Sequence, residues 1–425
     1  MRSRTPGKRI APVLMAVCVL SPAFLSGQTY QTFQAQQTRI IEQAKWRIGP
    51  FRLLPVLQLR DIGYDDNVYY LREDERPVGD YTATISPSLS AYLLYRNWLI
   101  LSFVENPEYV FFFKQKTERA WNNNFSPELK LRLLDRFTLS GNYRFQKTRR
   151  RASSEFDVRA DEKSRSYGGQ LFYETPRQTA IGLSAQVLKI SYEDILFPNQ
   201  QQYLSVALNR TEKSGNIELY YRVFSESFFF VRGGYTEYEF DFRESQWRNS
   251  SSRQVYGGVR FPLLGRIRGT LALGYKEFIP TSRDKKAFSG LVGNSRLDYR
   301  VGRFDLRLHY ERDSQFSYFL EYIYYLENTL GSGISYYLTN FLRLDYDLSY
   351  GRNNYPETIL FRLPDGSLMN LLREDRYYTH AVGVVVRVIR NTGIGILFNA
   401  WKRSSNYFYE NRSRWFLGGY VTYDF

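Results

Sequence analysis

His309 and His380 are the only imidazoles in this chain of 425 residues, and Cys18 is its only thiol. General acid–base or nucleophilic catalysis needs such a group held beside a serine, cysteine or carboxylate partner. Neither histidine stands in a serine or aspartate arrangement of that kind. His309 alternates with Arg307 and Glu311, as a polar wall residue would, and His380 falls on the opposite parity of the run Tyr377–Arg390. The residues thus supply no catalytic set, and no enzyme is expected. Cys18 lies in an N-terminal apolar run, so the chain beyond it has neither disulfide nor thiolate chemistry. Tyr64-Asp65-Asp66-Asn67 brings oxygen donors together without the spacing of a calcium loop, and Asp and Asn suit a turn at a strand end. No metal and no cofactor is expected. Asn209-Arg210-Thr211 matches a glycosylation sequon, a pattern short enough to recur by chance.

The chain instead carries charge at alternating positions. Lys130, Arg132, Arg144, Glu218, Arg222, Arg268, Arg303, Asp305, Arg307, His309, Arg343, Asp345, Asp347 and Arg387 fall, by parity, on the polar face of strand-like runs. Mixed signs projecting into a wet pore set a field that selects permeants. The plainer reading is that they pair across strands and solvate a wall. Glu237, Glu239 and Asp241 read as an acidic stripe near one mouth of the same pore. Tyr220, Trp401, Phe416 and Tyr420 share the inward parity, where aromatic rings either stack on sugar rings or fill space.

The elements that must hold these residues are strands. In the run from Arg303, Phe304, Leu306, Leu308 and Tyr310 oppose Arg303, Asp305, Arg307, His309 and Glu311. From Phe341, Leu342, Leu344, Tyr346, Leu348 and Tyr350 oppose Arg343, Asp345, Asp347 and Ser349. A period of two places each set on one face. Mean hydropathy is −0.45. No apolar run outside the N-terminal one reaches the roughly 20 residues of a membrane helix. A chain polar on average still spans lipid if half of each strand faces water. A soluble sandwich would need a second apolar sheet to cover such faces. Aromatics reach 17% of the chain, enough for interfacial girdles, and the last strand ends on Phe425.

Breaks alternate in kind. Eight short ones, such as Tyr95–Asn97 and Val301–Arg303, alternate with nine longer polar ones, such as Tyr69–Asp80 and Asn354–Asp375. The expected fold class is all-β: a transmembrane antiparallel outer-membrane β-barrel of about eighteen strands, within a range of roughly sixteen to twenty. Ser191–Lys213 is read as a structured loop, and Gly233-Gly234 as a bulge across which parity changes. Residues 1–27 have the basic, apolar and small regions of a cleaved signal peptide. Residues 28–50, with a helical stretch from Thr38 to Trp46, are a periplasmic lead-in or small plug, and 51–425 the barrel.

Net charge is +15, with Arg2, Arg4, Lys8 and Arg9 in the leader. The remaining basic residues alternate along strands and form no nucleic-acid module, so no nucleic-acid partner is expected. Outer-membrane lipid and lipopolysaccharide outside, and an anionic solute inside, suit them better.

Three stretches carry a family resemblance: Gly63-Tyr64-Asp65-Asp66-Asn67-Val68-Tyr69-Tyr70, Leu208–Lys213 leading into Ser214–Val223, and Gly258-Val259-Arg260-Phe261 through Gly274-Tyr275. The chain resembles the Putative beta-barrel porin 2 family, diffusely, over most of Phe51–Phe425. The resemblance implies an outer-membrane barrel of about eighteen strands, associated with exopolysaccharide export, with no catalytic motif. Implied partners are a polysaccharide permeant, periplasmic export proteins and the barrel-assembly machinery acting on Phe425. The alternatives are a general or saccharide-uptake porin, a barrel-borne hydrolase, and a structural or adhesin barrel. A porin would show an inward-folded constriction loop, for which Asn354–Asp375 is the candidate.

Overall fold

The structure is a computed structural model. It describes residues 32–425 apart from 152, 156–157, 177–178, 198–201, 225–226, 262–265, 363–367, 390 and 408–409. The expected signal peptide, with Cys18, lies outside the described residues, as do parts of several short turns.

Eighteen strands form one antiparallel ring. They are β1 (Phe51–Asp65), β2 (Asp80–Tyr95), β3 (Leu99–Glu105, resuming as Glu108–Phe112), β4 (Ala120–Leu133), β5 (Phe137–Arg151) and β6 (Arg159–Glu174). Next come β7 (Thr179–Tyr192), β8 (Arg210–Phe224), β9 (Ser227–Phe240), β10 (Ser250–Phe261), β11 (Ile267–Pro280) and β12 (Phe288–Val301). The last are β13 (Phe304–Phe316), β14 (Tyr324–Tyr337), β15 (Leu342–Arg362), β16 (Leu368–Ile389), β17 (Thr392–Ser405) and β18 (Arg412–Asp424). Each pairs with its sequence neighbours, and β18 returns to β1 through Val56↔Asp424 to Asp65↔Phe416. A bulge in β1 near Asp61, which takes a positive φ of 53°, interrupts that seam.

Short turns join the strands at one end and long loops at the other, as the break pattern requires. The outward parity is apolar: Leu183, Leu219, Val231, Leu273, Leu291, Ile396 and Leu417 are exposed, on a surface that only lipid would cover. Outward aromatics pair near strand ends, as in Phe137–Tyr173 and Phe304–Tyr336, both 4.8 Å between ring centroids.

Three features depart from the sequence reading. Pairing runs unbroken through Gly233 and Gly234, so there is no bulge there. Glu237, Glu239 and Asp241 consequently stay on the outward parity, where Lys213 meets Glu239 at 2.7 Å and Lys189 meets Asp241 at 3.4 Å. They are no part of the lumen. Asn354–Asp375 is not an inward loop: β15 and β16 continue pairing through Arg362↔Leu368 as a hairpin beyond the ring.

Before the ring, α1 (Phe33–Gln43) is capped by Thr32, whose hydroxyl accepts from the Ala35 N–H at 3.2 Å. It starts earlier than Thr38 and ends before Trp46, because Trp46–Ile48 pairs with Phe51–Leu53 instead. Phe33 and Ile40 pack on Leu94 and Ile100, inward residues of β2 and β3, and Gln36 accepts from Lys130 at 2.9 Å. The helix therefore lies inside the short-turn end of the ring.

Closure makes every strand a central one. Val421→Pro removes an N–H from a strand paired on both sides. The variant is expected to lose the compact, heat-modifiable form in detergent electrophoresis. Survival of that form would mean that β18 is a free edge.

Candidate functional site

The inward parity has a different chemistry from the outward one. Close to the short turns it is a lattice of paired charges. Arg268 meets Asp298 at 3.4 Å, Arg300 meets Asp305 at 3.4 Å, and Arg343 meets Asp345 at 2.9 Å. Arg307 on β13 reaches Asp347 on β15 at 2.8 Å, passing over β14 at Gly333. A Cβ at Gly333 would strike both partners, so only glycine leaves room for this second-neighbour pair. Glu218 is paired with Arg232 at 2.5 Å, and Lys130 with Glu128 at 3.2 Å. Pairing keeps each charge solvated and tied to the wall.

Of the candidates from sequence, Lys130, Arg144, Glu218, Arg222, Arg268, Asp305, Arg307, His309, Arg343, Asp345, Asp347 and Arg387 all fall on inward strand positions. Arg132 also points inward, but at the rim, where it donates to the Asp135 carbonyl at 2.9 Å. Arg303 does not lie on a strand. It sits in the turn between β12 and β13 and donates to the Leu338 carbonyl at 3.3 Å, because the ladder starts at Phe304. His309 lies opposite Arg296 across the ladder, with no carboxylate bonded to it among the described residues, and His380 points outward and shares a 3.1 Å hydrogen bond with Tyr346. Asp65, Asp66 and Asn67 spend their oxygens on the protein: Asp65 accepts from Arg414 at 2.8 Å, Asp66 from the Trp415 N–H at 2.6 Å, and Asn67 from the Leu71 N–H at 2.8 Å.

The long-loop end holds what sequence reasoning missed. From the loop between β5 and β6, Ser154 and Glu155 reach the opposite wall of the lumen. There Ser154 accepts from Asn353 of β15 at 3.0 Å and lies 3.3 Å from the Tyr325 hydroxyl of β14. Arg403 of β17 donates to the carbonyls of Ser154 at 3.2 Å and Glu155 at 3.1 Å. Arg151, at the root of this strap, lies over the rings of Tyr70 and Trp401, at 4.5 Å and 4.4 Å.

A second loop, Ser317–Ile323 between β13 and β14, comes from the far side. Tyr318 packs on Ala160, Ile190 and the short helix α2 (Leu204–Leu208). The two loops meet at Glu155, whose carboxylate accepts from the Ser317 hydroxyl at 2.7 Å and the Tyr318 N–H at 2.6 Å. Buried Arg248 donates to the Ser317, Tyr318 and Phe319 carbonyls, the last at 3.0 Å. Arg373 lies over the rings of Phe319 and Tyr355, at 4.3 Å and 4.7 Å. Burial pushes the Glu155 carboxyl up to about 7, against the pull of Arg373 and its hydrogen bonds.

Two cavities line the lumen wall. One, about 520 Å³, lies along β5–β14 and presents Asn142, Gln170, Gln186, Asn216 and Gln254 beside Tyr220, Phe230, Tyr238 and Tyr256. The other, about 540 Å³, lies along β1–β6 and β17–β18 and presents Gln58, Asn106, Asn122, Asn124, Gln146 and Asn399 beside Phe416 and Tyr420. Carboxamides and hydroxyls on alternate positions gave the signal for these surfaces, but charge drew the eye first. Arg144 and Arg296 face the first cavity with no ion-pair partner among the described residues.

A closed ring with an apolar exterior and a polar, cavity-bearing interior defines an outer-membrane channel barrel. The chain belongs to the family described as Putative beta-barrel porin 2, which matches residues 41–416. No curated protein matches its sequence. Among solved structures it is similar to Pseudomonas aeruginosa OpdQ, at 10% identity and a TM-score of 0.49, covering 89% of this chain and 98% of that one. It is also similar to Pseudomonas aeruginosa OpdO, at 11% identity and a TM-score of 0.47, covering 88% of this chain and 97% of that one.

The contact at Glu155 sets a pH dependence. An exposed carboxyl titrates near 4.5 and the buried one at about 7, so the closed cap binds the proton more tightly. Closure is therefore fully favoured below about 4.5, weakens as pH rises, and bears the whole cost of a buried carboxylate above about 7. Single-channel openings are expected to become more frequent across that window. Glu155→Gln should flatten the rise; an unchanged profile in the variant would assign it to another group.

Proposed function

We propose that this barrel conducts carbohydrate across the outer membrane, with a secreted polysaccharide as its cargo. The observation that carries the reading is the lumen surface beside the strap, where carboxamides and hydroxyls alternate with aromatic rings while most charges are already paired. Amides match sugar hydroxyls, and rings match the apolar faces of sugars. The family resemblance, which implies exopolysaccharide export, supports the direction of transport. In this reading residues 1–27 direct secretion, the strand ending at Phe425 engages the assembly machinery, and periplasmic export proteins deliver the polymer.

A second reading, a porin for saccharide uptake, is favoured by one observation: a loop that folds inward and is bonded to the opposite wall. Single-channel recording in a planar bilayer separates the two. Neutral and acidic oligosaccharides are expected to block current in steps. A variant with residues 152–157 replaced by a short glycine-serine linker should conduct several-fold more and admit longer chains, as export of a polymer past a movable strap requires. Block by short sugars alone, unaltered by the replacement, would favour uptake. Deleting the gene without loss of surface polysaccharide would refute export.

A further inference from the structure

The outer wall over β4–β8 carries an arrangement that lumen transport does not use. On the outward parity, Arg165 of β6 lies directly opposite Lys189 of β7, and Lys147 of β5 directly opposite Lys163 of β6. Like charges facing each other across a ladder are destabilising. Here two such pairs stand side by side, with Lys213 of β8 one step lower, opposite Val187. Lys147, Lys189 and Lys213 find Asp161, Asp241 and Glu239 at 3.7, 3.4 and 2.7 Å. Lys163 and Arg165 are exposed and have no acidic partner among the described residues. The cluster sits toward the long-loop end, which faces outside in barrels of this type.

Directly below it the wall is hollowed into a groove of about 790 Å³. Leu129, Gly141, Tyr143, Tyr167 and Val187 line it, and Lys213 closes its upper end. Tyr143 and Tyr167 meet across its lip as a tilted pair with centroids 5.0 Å apart. Apolar groove and cations are thus continuous, in the order in which a membrane lipid presents acyl chain and anionic head. All these side chains project away from the lumen, so no permeant can meet them.

We infer that this face binds one phosphorylated glycolipid of the outer leaflet, its phosphate held at Lys163 and Arg165, the two cations that no carboxylate of this face answers among the described residues, and one acyl chain laid in the groove. The phosphate offsets the opposed cations through charge-assisted hydrogen bonds. The groove supplies what a mobile counterion lacks, a fixed position for the chain. This choice of occupant rests on charge complementarity joined to the apolar groove. A free anion would use the cations alone, and a neutral lipid the groove alone.

Native mass spectrometry of the full barrel tests it. Protein released from nanodiscs of phosphatidylethanolamine doped with bis-phosphorylated lipid A is expected to retain one lipid A. Lys163→Gln with Arg165→Gln should lower that retention about tenfold, and Lys163→Arg with Arg165→Lys should restore it. Gly141→Leu, which fills the groove and keeps every charge, should also lower it. Arg307→Gln, inside the lumen, should leave it unchanged. Heat-modifiability confirms folding of each variant. Equal retention by wild type and the double glutamine variant would overturn the site, as would equal retention of phosphatidylglycerol or of lipid A lacking its phosphates.

Discussion

Hydrogen bonding of the backbone in a solvent that offers none decides the rest of this structure. A strand in lipid cannot leave N–H or C=O groups open, so a sheet there must close on itself. Closure falls to the seam between β18 and β1, the most distant strands in sequence. Once the ring exists, side chains divide by parity, and one face meets lipid while the other encloses water. The apolar exterior, the paired interior charges and the long loops at one rim are consequences of that division. The bulge near Asp61 is the local adjustment that the seam makes to the register of its two partners.

Enclosure gives the interior charges their character. A cation and an anion across a wet lumen would pull a permeant toward the wall. A cation and an anion on adjacent strands cancel before a permeant meets them. Arg268–Asp298 and Arg300–Asp305 are of the second kind, Arg343–Asp345 cancels in the same way along one strand, and Gly333 extends the pattern to second neighbours through Arg307–Asp347. The field this leaves comes from inward cations with no ion-pair partner among the described residues, Arg144 and Arg296 in one cavity and Arg222 and Arg387 elsewhere on the wall. Selectivity then rests on the neutral polar and aromatic lining, and on the strap that decides how much of it is reached.

The ring was legible in the sequence because its signal is local. Alternation over a dozen residues fixes which face Leu306 and Arg307 take, and the spacing of turn residues sets the number of strands. What the sequence hid is non-local. Ser154 and Glu155 read as residues of an ordinary polar loop. They lie near Asn353 and Arg403 only because β5–β6 and β14–β17 stand on opposite sides of the closed ring. Asn354–Asp375 misled for the converse reason: its two arms stay paired with each other as a hairpin. Gly233 and Gly234 carry no side chain to mark parity, and Phe228 to Phe230 are aromatic on both faces because the inward wall there is also apolar. Glu239 was thereby assigned to the wrong side. Arg303 shares the parity of β13 but precedes its first ladder pair.

The strap and the lumen also constrain each other. A loop anchored only at its roots would lose little by swinging out, since its polar backbone is as well hydrated outside as in. This one buries Ser154, Glu155, Tyr325, Arg403 and Arg248 together, and a buried charge keeps its place only while its partners stay. Removing one bond therefore exposes the others, so the cap should move as a unit or not at all. Glu155 ties the two loops together, since among the described strap residues it is the one bonded through its carboxylate to the loop that closes from the other side.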